Sequence, residues 1–494
     1  MIIYELHPTL QVKIPTNLPS HNVLALGNIK YLLLIPYGFK VGGSMRGKPS
    51  LTPMLASGVN SLAIVGASPI EGKVGYVILK NVIDSGFKGK IYPVNPKHNK
   101  ILGIKSWPRL SDLPEVPDLV VIAIPPPYVP EVLNEAGSLG VKLAVIITAG
   151  FREVGNVKLE EELYKISAKY SMRILGPNSA GITLSKYDVH ASIEVLPAKG
   201  KVGLVMQSGA LGGVVIDRLR KLSSGISFFF SLGNMLDIDF VDALEYAMND
   251  EETESLIAYV EWLRRGREFI RLAKRFTREK PLCIIKGGWG ARSTEAVRSH
   301  TGGLATNYSI FKAVCKQVRA FLANDLDELV EVCEVLRRIK KLRGNRVLIV
   351  TNSGGLGVIT ASHLESVGID LKPISSNLSS KLASQANKKF TGRNPIDFGG
   401  DATINQVLSS LHIRELEDYY DVVVIVYVPT AAEGVNAICK GIKENVKDVN
   451  LPIVMYFDGF GKDDVMMCAS RYAPVVSSAG NLALAFKELM KRRS

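Results

Sequence analysis

At 494 residues the chain is long enough for about three domains, since ~100–200 residues make one. Its 47% hydrophobic and 22% charged content is that of an ordinary globular protein, and no run reaches ~18 apolar residues, which excludes a membrane-spanning helix. The net charge of +13 comes from basic residues spread along the chain, which disfavours nucleic acid and leaves either a solvated basic surface or recruitment of a polyanionic ligand.

Residues 1–53 contain one apolar run, Tyr31-Leu32-Leu33-Leu34-Ile35-Pro36, but Pro36 and Lys40 follow too soon for the core of a signal peptide. Nothing in this stretch suggests chemistry, and Met54 stands just upstream of the first clear strand. Residues 1–53 are therefore read as an N-terminal extension, consistent with an upstream start site. From Ser61 onward, short apolar runs alternate with helix-length amphipathic stretches, the rhythm of βαβ units and parallel sheets in an α/β protein. The first block has such runs at 61–66, 90–94, 119–124 and 143–147. Each ends in a small or turn-forming residue, where open α/β sheets form their ligand crevice.

An internal repeat follows. Lys201-Val202-Gly203-Leu204-Val205-Met206-Gln207-Ser208-Gly209 aligns with Arg346-Val347-Leu348-Ile349-Val350-Thr351-Asn352-Ser353-Gly354, each a strand, an amide residue, Ser-Gly and a helix start. Leu256–Val260 likewise matches Val422–Val426, and the strand from Pro281 matches the one from Pro452. Two related doubly wound domains are expected after the first, giving domains at 54–190, 191–342 and 343–494. The five cysteines (Cys283, Cys315, Cys333, Cys439 and Cys468) form no Cys-x-x-Cys pair and have no histidine at metal spacing. That argues against a zinc site and a disulfide framework, and suits a reducing cytosol.

The turn Gly66-Ala67-Ser68-Pro69-Ile70-Glu71-Gly72-Lys73 joins the first strand to a helix, where glycines and free N–H groups accommodate a phosphate. Its glycines do not have dinucleotide spacing, and the second strand ends in Asn95-Pro96-Lys97 rather than the carboxylate an NAD site wants. Lys73 and Lys97 suit a ligand with an extra phosphate, either coenzyme A or NADP. Pro125 opens a rigid Pro-Pro-Pro-Tyr lip that fits an adenine or pantetheine arm. Ser208 and Gly209 begin a second anion-binding helix start.

Arg298-Ser299-His300-Thr301-Gly302-Gly303 sets one histidine among small residues after an apolar run. Imidazole is nucleophilic at neutral pH, with an unperturbed pKa of about 6.5, and can carry a phosphoryl group covalently. The second repeat has no histidine after its third strand, so this chemistry belongs to one copy only. A nucleophilic histidine needs a partner to fix its tautomer. Glu261, at the end of the strand preceding the one that leads to His300, is the candidate.

These pieces in this order resemble the α subunit of the ADP-forming acyl-CoA synthetases of the acetyl-CoA synthetase type, within the succinyl-CoA synthetase superfamily. The likeness runs over residues 60–494 and rests on 63–68 with 72–76, Tyr92–Lys97, Thr148–Glu153, Leu175–Asn178, Gln207–Ala210, Ser231–Asn234, Tyr259–Glu261, Ser299–Gly302 and Asn394–Asp397. It implies a Rossmann-like CoA-binding domain followed by two flavodoxin-like domains. It also implies an acyl phosphate intermediate, His300 as the phosphorylated residue and Glu261 as the carboxylate that orients it. By the same resemblance, Ser208 and Gly209 bind the phosphoryl group, Ser68, Lys73 and Lys97 hold CoA, and Asn178 lines the acyl end.

No glycine-rich nucleotide flap or Mg²⁺-binding carboxylate cluster follows the third domain. An ATP-grasp β subunit is therefore expected to supply Mg²⁺ and ADP or ATP in an α2β2 heterotetramer in the cytoplasm, with no metal site in this chain. Two departures from the family pattern stand out: Ser179-Ala180 follow Gly-Pro-Asn where cysteine and a bulky apolar residue are usual, and Thr306-Asn307 follow Ala305 where glycine is usual. Other readings are a CoA-sensing regulatory module without turnover and an NADP-linked oxidoreductase. Intact His300 and Glu261 disfavour the first; the glycine spacing and the lack of a hydride-transfer site disfavour the second.

Overall fold

Three parallel-stranded sheets, each flanked by helices, carry the chain in a computed structural model that describes residues 48–290, 292–295, 297, 306–386, 393–430, 433–447 and 449–492. Two units are distinguished, Met1–Lys48 and Pro49–Ser494, and everything below concerns the second.

The strands, in chain order, are β1 (Ser61–Val65), β2 (Lys90–Val94), β3 (Lys100–Ile101), β4 (Ile104–Lys105), β5 (Leu119–Ile122), β6 (Leu143–Ile146), β7 (Arg173–Leu175), β8 (Gly181–Leu184), β9 (Val189–Ser192), β10 (Lys199–Met206), β11 (Ile226–Ser231), β12 (Ser255–Val260), β13 (Leu282–Lys286), β14 (Phe321–Ala323), β15 (Val347–Thr351), β16 (Ile396–Asp397), β17 (Val422–Tyr427), β18 (Ile453–Phe457) and β19 (Val475–Val476). The first sheet has the order β2-β1-β5-β6-β7. Its apolar runs are buried on both faces: Ile64, Val121 and Val145 pack one way with Ile78 and Leu79, and Ala63, Val120 and Ala144 the other way with Val129 and Leu133. Burial on both sides is why these strands read as continuous apolar runs rather than as alternation.

The repeat seen in the sequence is a repeat of topology. The second sheet runs β14-β13-β12-β10-β11 and the third β19-β18-β17-β15-β16, the same order element for element. The second sheet adds an antiparallel hairpin, β8 and β9, against β11. That hairpin, residues 181–192, straddles the expected 190/191 boundary, so the boundary cuts through an element of the second sheet. The helix Leu326–Arg338 fills the layer between the second and third sheets, with Leu329, Val332, Cys333 and Leu336 buried.

At the N-terminal side, residues assigned to the extension are folded. The helix Leu51–Ala56 buries Leu51 and Leu55, and the Pro49 carbonyl accepts from Arg173 at 2.8 Å. Arg173 is 4% exposed and also reaches Asp237 at 2.9 Å and Asp242 at 3.0 Å, joining the end of the first sheet to the loop after β11. Arg265 binds the same Asp242 together with Asp239.

The expectation of no disulfide framework meets one exception. Cys439, in the helix Val435–Asn445, is bonded to Cys468, in the helix Lys462–Ala469, with Cα atoms 5.8 Å apart. The crossover connection through β18 lays these helices side by side, which their 29-residue separation in sequence does not reveal. Cys283, Cys315 and Cys333 are free and buried.

Candidate active site

The C-terminal edge of the second sheet brings three turns together. Parallel pairing sets Met206 beside Tyr259 and Val260 beside Lys286, so Gln207, Glu261 and Gly287 leave their strands side by side. Gln207 is 4% exposed, and its Oε1 accepts from the N–H of Glu261 at 2.5 Å and of Trp262 at 3.1 Å. With Oε1 fixed by two donors, Nε2 is a buried N–H group that has no acceptor among the described residues. Such a donor is costly unless an acceptor arrives.

Glu261 is 3% exposed, and its Oε1 accepts from the Tyr259 hydroxyl at 2.9 Å. Burial, reinforced by the Glu261 charge, raises the pKa of that hydroxyl, so Tyr259 stays a donor. Glycine at 287 is required for this contact, since a Cβ there would stand 2.3 Å from the Tyr259 oxygen. Lys286 is 3% exposed, and its Nζ donates to the Gly287 carbonyl. Burial brings the lysine down from 10.5 to about 8, against the upward pull of Glu261.

Gly209 opens the 13-residue helix Gly209–Lys221, and Ser208 is its N-cap without making a side-chain cap. The helix start therefore keeps N–H groups available to an anion. The Glu194 carboxyl lies along the same turn against Gly209 and Gly213, and burial pushes its pKa up, toward the uncharged form. In the second repeat, Asn352 plays the bridging part of Gln207 by exchanging hydrogen bonds with the Val428 backbone at 2.8 and 2.9 Å. There the Asp397 carboxylate already sits against Gly354 at the helix start.

His300 lies outside the described residues. The described residue on its C-terminal side, Thr306, accepts from the Leu263 N–H at 3.3 Å, and Asn307 caps the helix Tyr308–Gln317. The departure from the usual glycine thus ties this end of the segment to the loop that carries Glu261. Trp289 and Tyr308, on either side of the segment, have ring centroids 6.3 Å apart.

A second cluster occupies the C-terminal edge of the first sheet. Ser68 and Lys73 follow β1, Lys97 follows β2 and Pro125 follows β5, three neighbouring strands. Asn95 Nδ2 donates to the Ala67 carbonyl at 2.8 Å while its Oδ1 accepts from the Lys97 N–H, which locks the two turns together. Gly66 and Gly75 are in close contact, a Cβ on Gly75 falling 1.9 Å from the Gly66 carbonyl. Lys73, Lys97 and Pro125 are exposed.

Asn178 has φ +58° and sits where the first sheet passes into the second. Its Nδ2 reaches Asn234 Oδ1 at 3.4 Å; Asn234 Nδ2 in turn donates to Glu153 at 2.6 Å and Glu160 at 2.8 Å. Burial raises Glu160 against the pull of Arg152. Burial also opposes ionisation of Glu153, but hydrogen bonds from Asn234, Gly150 and Phe151 outweigh it and leave that carboxyl lowered. Ser179, in place of the usual cysteine, is 3% exposed and engaged with the Ser231 carbonyl at 2.6 Å and the Gly181 N–H at 3.0 Å. Among the described residues, no group of three His, Cys, Asp or Glu could hold a metal ion.

The CoA binding domain family matches residues 60–185, and the succinyl-CoA ligase like flavodoxin domain matches 199–336. A subunit from Pyrococcus furiosus, acetate–CoA ligase [ADP-forming] II subunit alpha, is 34% identical over 393 residues, covering 79% of this chain and 86% of the relative. The chain belongs to the ADP-forming acetate–CoA ligase family. Another member, the Methanocaldococcus jannaschii acetate–CoA ligase [ADP-forming], is 40% identical over 344 residues, 69% of this chain. The chain spans about half the length of that relative, 48%. Among solved structures, the dinucleotide forming acetyl-coenzyme A synthetase 1 of Ca. Korarchaeum cryptofilum, in complex with phosphate and ADP, superposes with a TM-score of 0.81 at 31% identity, covering 88% of this chain and 95% of that one.

Against this family background, sequence reasoning found the two clusters but weighted them unevenly. It named Glu261 and the Ser208-Gly209 helix start. It passed over Gln207, Tyr259 and Lys286, although each lies in or beside a quoted motif. The signal for Lys286 was its place as the last residue of a strand that is otherwise apolar.

Proposed function

We propose that this chain is the catalytic α subunit of an ADP-forming acyl-CoA synthetase, converting acyl-CoA, ADP and phosphate to acid, CoA and ATP. The observation that carries the reading is the edge of the second sheet. There an open helix start at Ser208-Gly209, a buried Gln207 Nε2 with no acceptor among the described residues and the buried Tyr259–Glu261 pair leave neighbouring strands, and β13, next in the sheet, is the strand that precedes His300 in sequence.

In this reading a phosphate oxygen attacks the thioester carbonyl and the CoA thiolate leaves, giving an acyl phosphate. The His300 ring nitrogen then attacks phosphorus and the carboxylate leaves. Glu261 accepts from the other ring N–H, fixing the tautomer and stabilising the cationic phosphohistidine. Ser208 and Gly209 present backbone N–H groups to the phosphoryl oxygens. Ser68, Lys73 and Lys97 hold the CoA phosphates, Pro125 borders the pantetheine arm, and Asn178 meets the acyl end. An ATP-grasp β subunit supplies Mg²⁺ and takes the phosphoryl group to ADP in an α2β2 assembly. A cytoplasmic location goes with these substrates.

The test mixes the chain with its ATP-grasp partner, acetyl-CoA and radiolabelled phosphate, without ADP. Acid-labile, base-stable label on this chain that is lost in His300→Asn is the expected result. Label that persists in His300→Asn overturns the assignment.

A further inference from the structure

The motif Ser231-Leu232-Gly233-Asn234 carries part of the family likeness, yet the reaction as written gives it no task. The fold lays it against the turn that holds Asn178. The Asn234 backbone N–H donates to the Pro177 carbonyl at 2.9 Å, and the Leu236 N–H to the Gly176 carbonyl at 3.0 Å. The approach is close enough to require glycine at 233, where a Cβ would stand 2.2 Å from the Pro177 oxygen and 2.5 Å from the Asn178 oxygen. From the other side, the Asn178 N–H donates to the Thr148 carbonyl at 2.9 Å, and the Thr148 hydroxyl to the Ile124 carbonyl at 2.7 Å, next to Pro125. Between residues 172 and 185, Asn178 alone is not buried, so it is the one residue of this stretch that a ligand can reach.

The Asn234 side chain, in a residue only 1% exposed, decides how the Asn178 amide is turned. Carboxylates accept and do not donate, so the Asn234 atom 2.6 Å from Glu153 and 2.8 Å from Glu160 is the amide nitrogen, and both of its N–H groups are spent there. Only Oδ1 remains for Asn178, whose Nδ2 lies 3.4 Å away. The two carboxyls are themselves fixed. Glu153 Oε1 accepts from the Gly150 and Phe151 N–H groups at 2.5 and 3.1 Å, and Glu160 is paired with Arg152 at 2.6 Å. Turning either amide over would set oxygen against oxygen or N–H against N–H. We propose that Asn234 is a positioning residue for the acyl end of the CoA thioester: it holds the Asn178 amide in one orientation, nitrogen toward Asn234 and carbonyl oxygen turned away from it to the ligand. The proposal rests on the acyl-CoA synthetase reading given above, in which Asn178 meets the acyl end. Its physical basis is preorganisation, since an amide already locked in one orientation loses no rotational freedom when the thioester binds and places it for attack.

The experiment uses the chain with its ATP-grasp partner and reads two half-reactions in single turnover. One is label taken from radioactive phosphate with acetyl-CoA; the other is label taken from ATP carrying a radioactive γ-phosphate, which does not involve the acyl end. The variants are Asn234→Ala, Asn234→Ser and Asn178→Gly. The serine hydroxyl still donates to one carboxylate but is too short to reach Asn178 as well, and glycine at 178 removes the amide while accommodating φ +58°. The expected result is labelling from phosphate and acetyl-CoA lowered about tenfold or more in all three, with labelling from ATP within about twofold of wild type in both Asn234 variants. The double variant Asn178→Gly/Asn234→Ser should be no more than about twofold slower than Asn178→Gly alone, because a positioning residue has nothing left to hold once the amide is gone. Wild-type labelling from acetyl-CoA in either Asn234 variant overturns the proposal. So does an equal loss from both label sources, which is what a merely structural role produces, and so do losses that multiply in the double variant. Failure of the parent reading has a different signature, namely wild-type chain that takes no label from either source or His300→Asn that labels normally, and it takes this inference with it.

Discussion

Gln207 Oε1 accepts the backbone N–H of Glu261 at 2.5 Å, so the residue leading into the helix Gly209–Lys221 also sets the position of the carboxylate at the end of the adjacent strand β12. In the proposed reaction, one amide thereby couples phosphate capture to histidine orientation. Gln207→Leu removes the acceptor and leaves the N–H groups of Glu261 and Trp262 buried without a partner, at about 1–3 kcal/mol each. Labelling of the chain by phosphate should fall about 10–100-fold while CoA affinity is unchanged. Gln207→Glu keeps the acceptor but adds a negative charge at the helix start, so its loss should appear mainly as a raised KM for phosphate. Steady-state kinetics on the two variants separate these outcomes.

Arg173 joins the first sheet to the second through Asp237 and Asp242, with the arginine 4% exposed and Asp237 fully buried. Removing one partner of such a pair leaves an uncompensated buried charge, at about 3–5 kcal/mol. Arg173→Met should lower the urea midpoint accordingly. The exposed Lys440–Glu444 pair, with its nitrogen and oxygen 3.9 Å apart, serves as the control: Lys440→Met should leave the midpoint nearly unmoved. Equal shifts in the two variants would show that burial does not decide their contributions.

Much of this architecture was legible because two periodicities are written into the chain. Val347–Thr351 and Val202–Met206 are apolar runs closed by an amide, Ser and Gly, and their alignment forecast two sheets that share one strand order. The crevice residues followed from the same logic, since Ser68, Lys97 and Pro125 end adjacent strands. What the chain could not disclose depends on contacts between distant segments. The hairpin Gly181–Ser192 has no turn signal that assigns it to the later sheet; it is held there by Ser179 and Ala180 binding Ser231. Ser179 stands out in the sequence only as a departure from the family pattern, because its partners on β11 and in Gly181 are not visible there. Cys439 and Cys468 meet only because a crossover stacks their helices.

The buried lysine makes stability depend on pH with a definite sign. Lys286 titrates near 8 in the folded chain and near 10.5 when unfolded. Between those values the unfolded chain binds more protons, so this group makes the fold more stable as pH rises from about 8 to 10.5. Its charged form is a cost at pH 7, and Lys286→Met should remove both the cost and the slope. Urea denaturation of wild type and variant at pH 7, 8, 9 and 10 measures the difference. The gap in midpoint should be widest at pH 7 in favour of the variant and should close as pH rises. A gap that does not change with pH would mean that the lysine is not desolvated as the structure shows.

The Cys439–Cys468 bond closes a loop of 29 residues in the third domain, away from the edge that carries Glu261. In the chain-entropy account, a cross-link of that span restricts the unfolded state by about 3–4 kcal/mol. Reduction, or Cys439→Ser, should therefore lower the thermal midpoint. The buried Cys283, Cys315 and Cys333 should resist alkylation until the chain unfolds. Because helix Lys462–Ala469 also meets the second domain, where Ser223 donates to the Met467 carbonyl at 2.6 Å, the loss should spread beyond the third domain rather than melt it separately. Calorimetry with and without reductant distinguishes these cases: one shifted transition supports a shared core around Leu326–Arg338, and a new, separate low-temperature transition contradicts it.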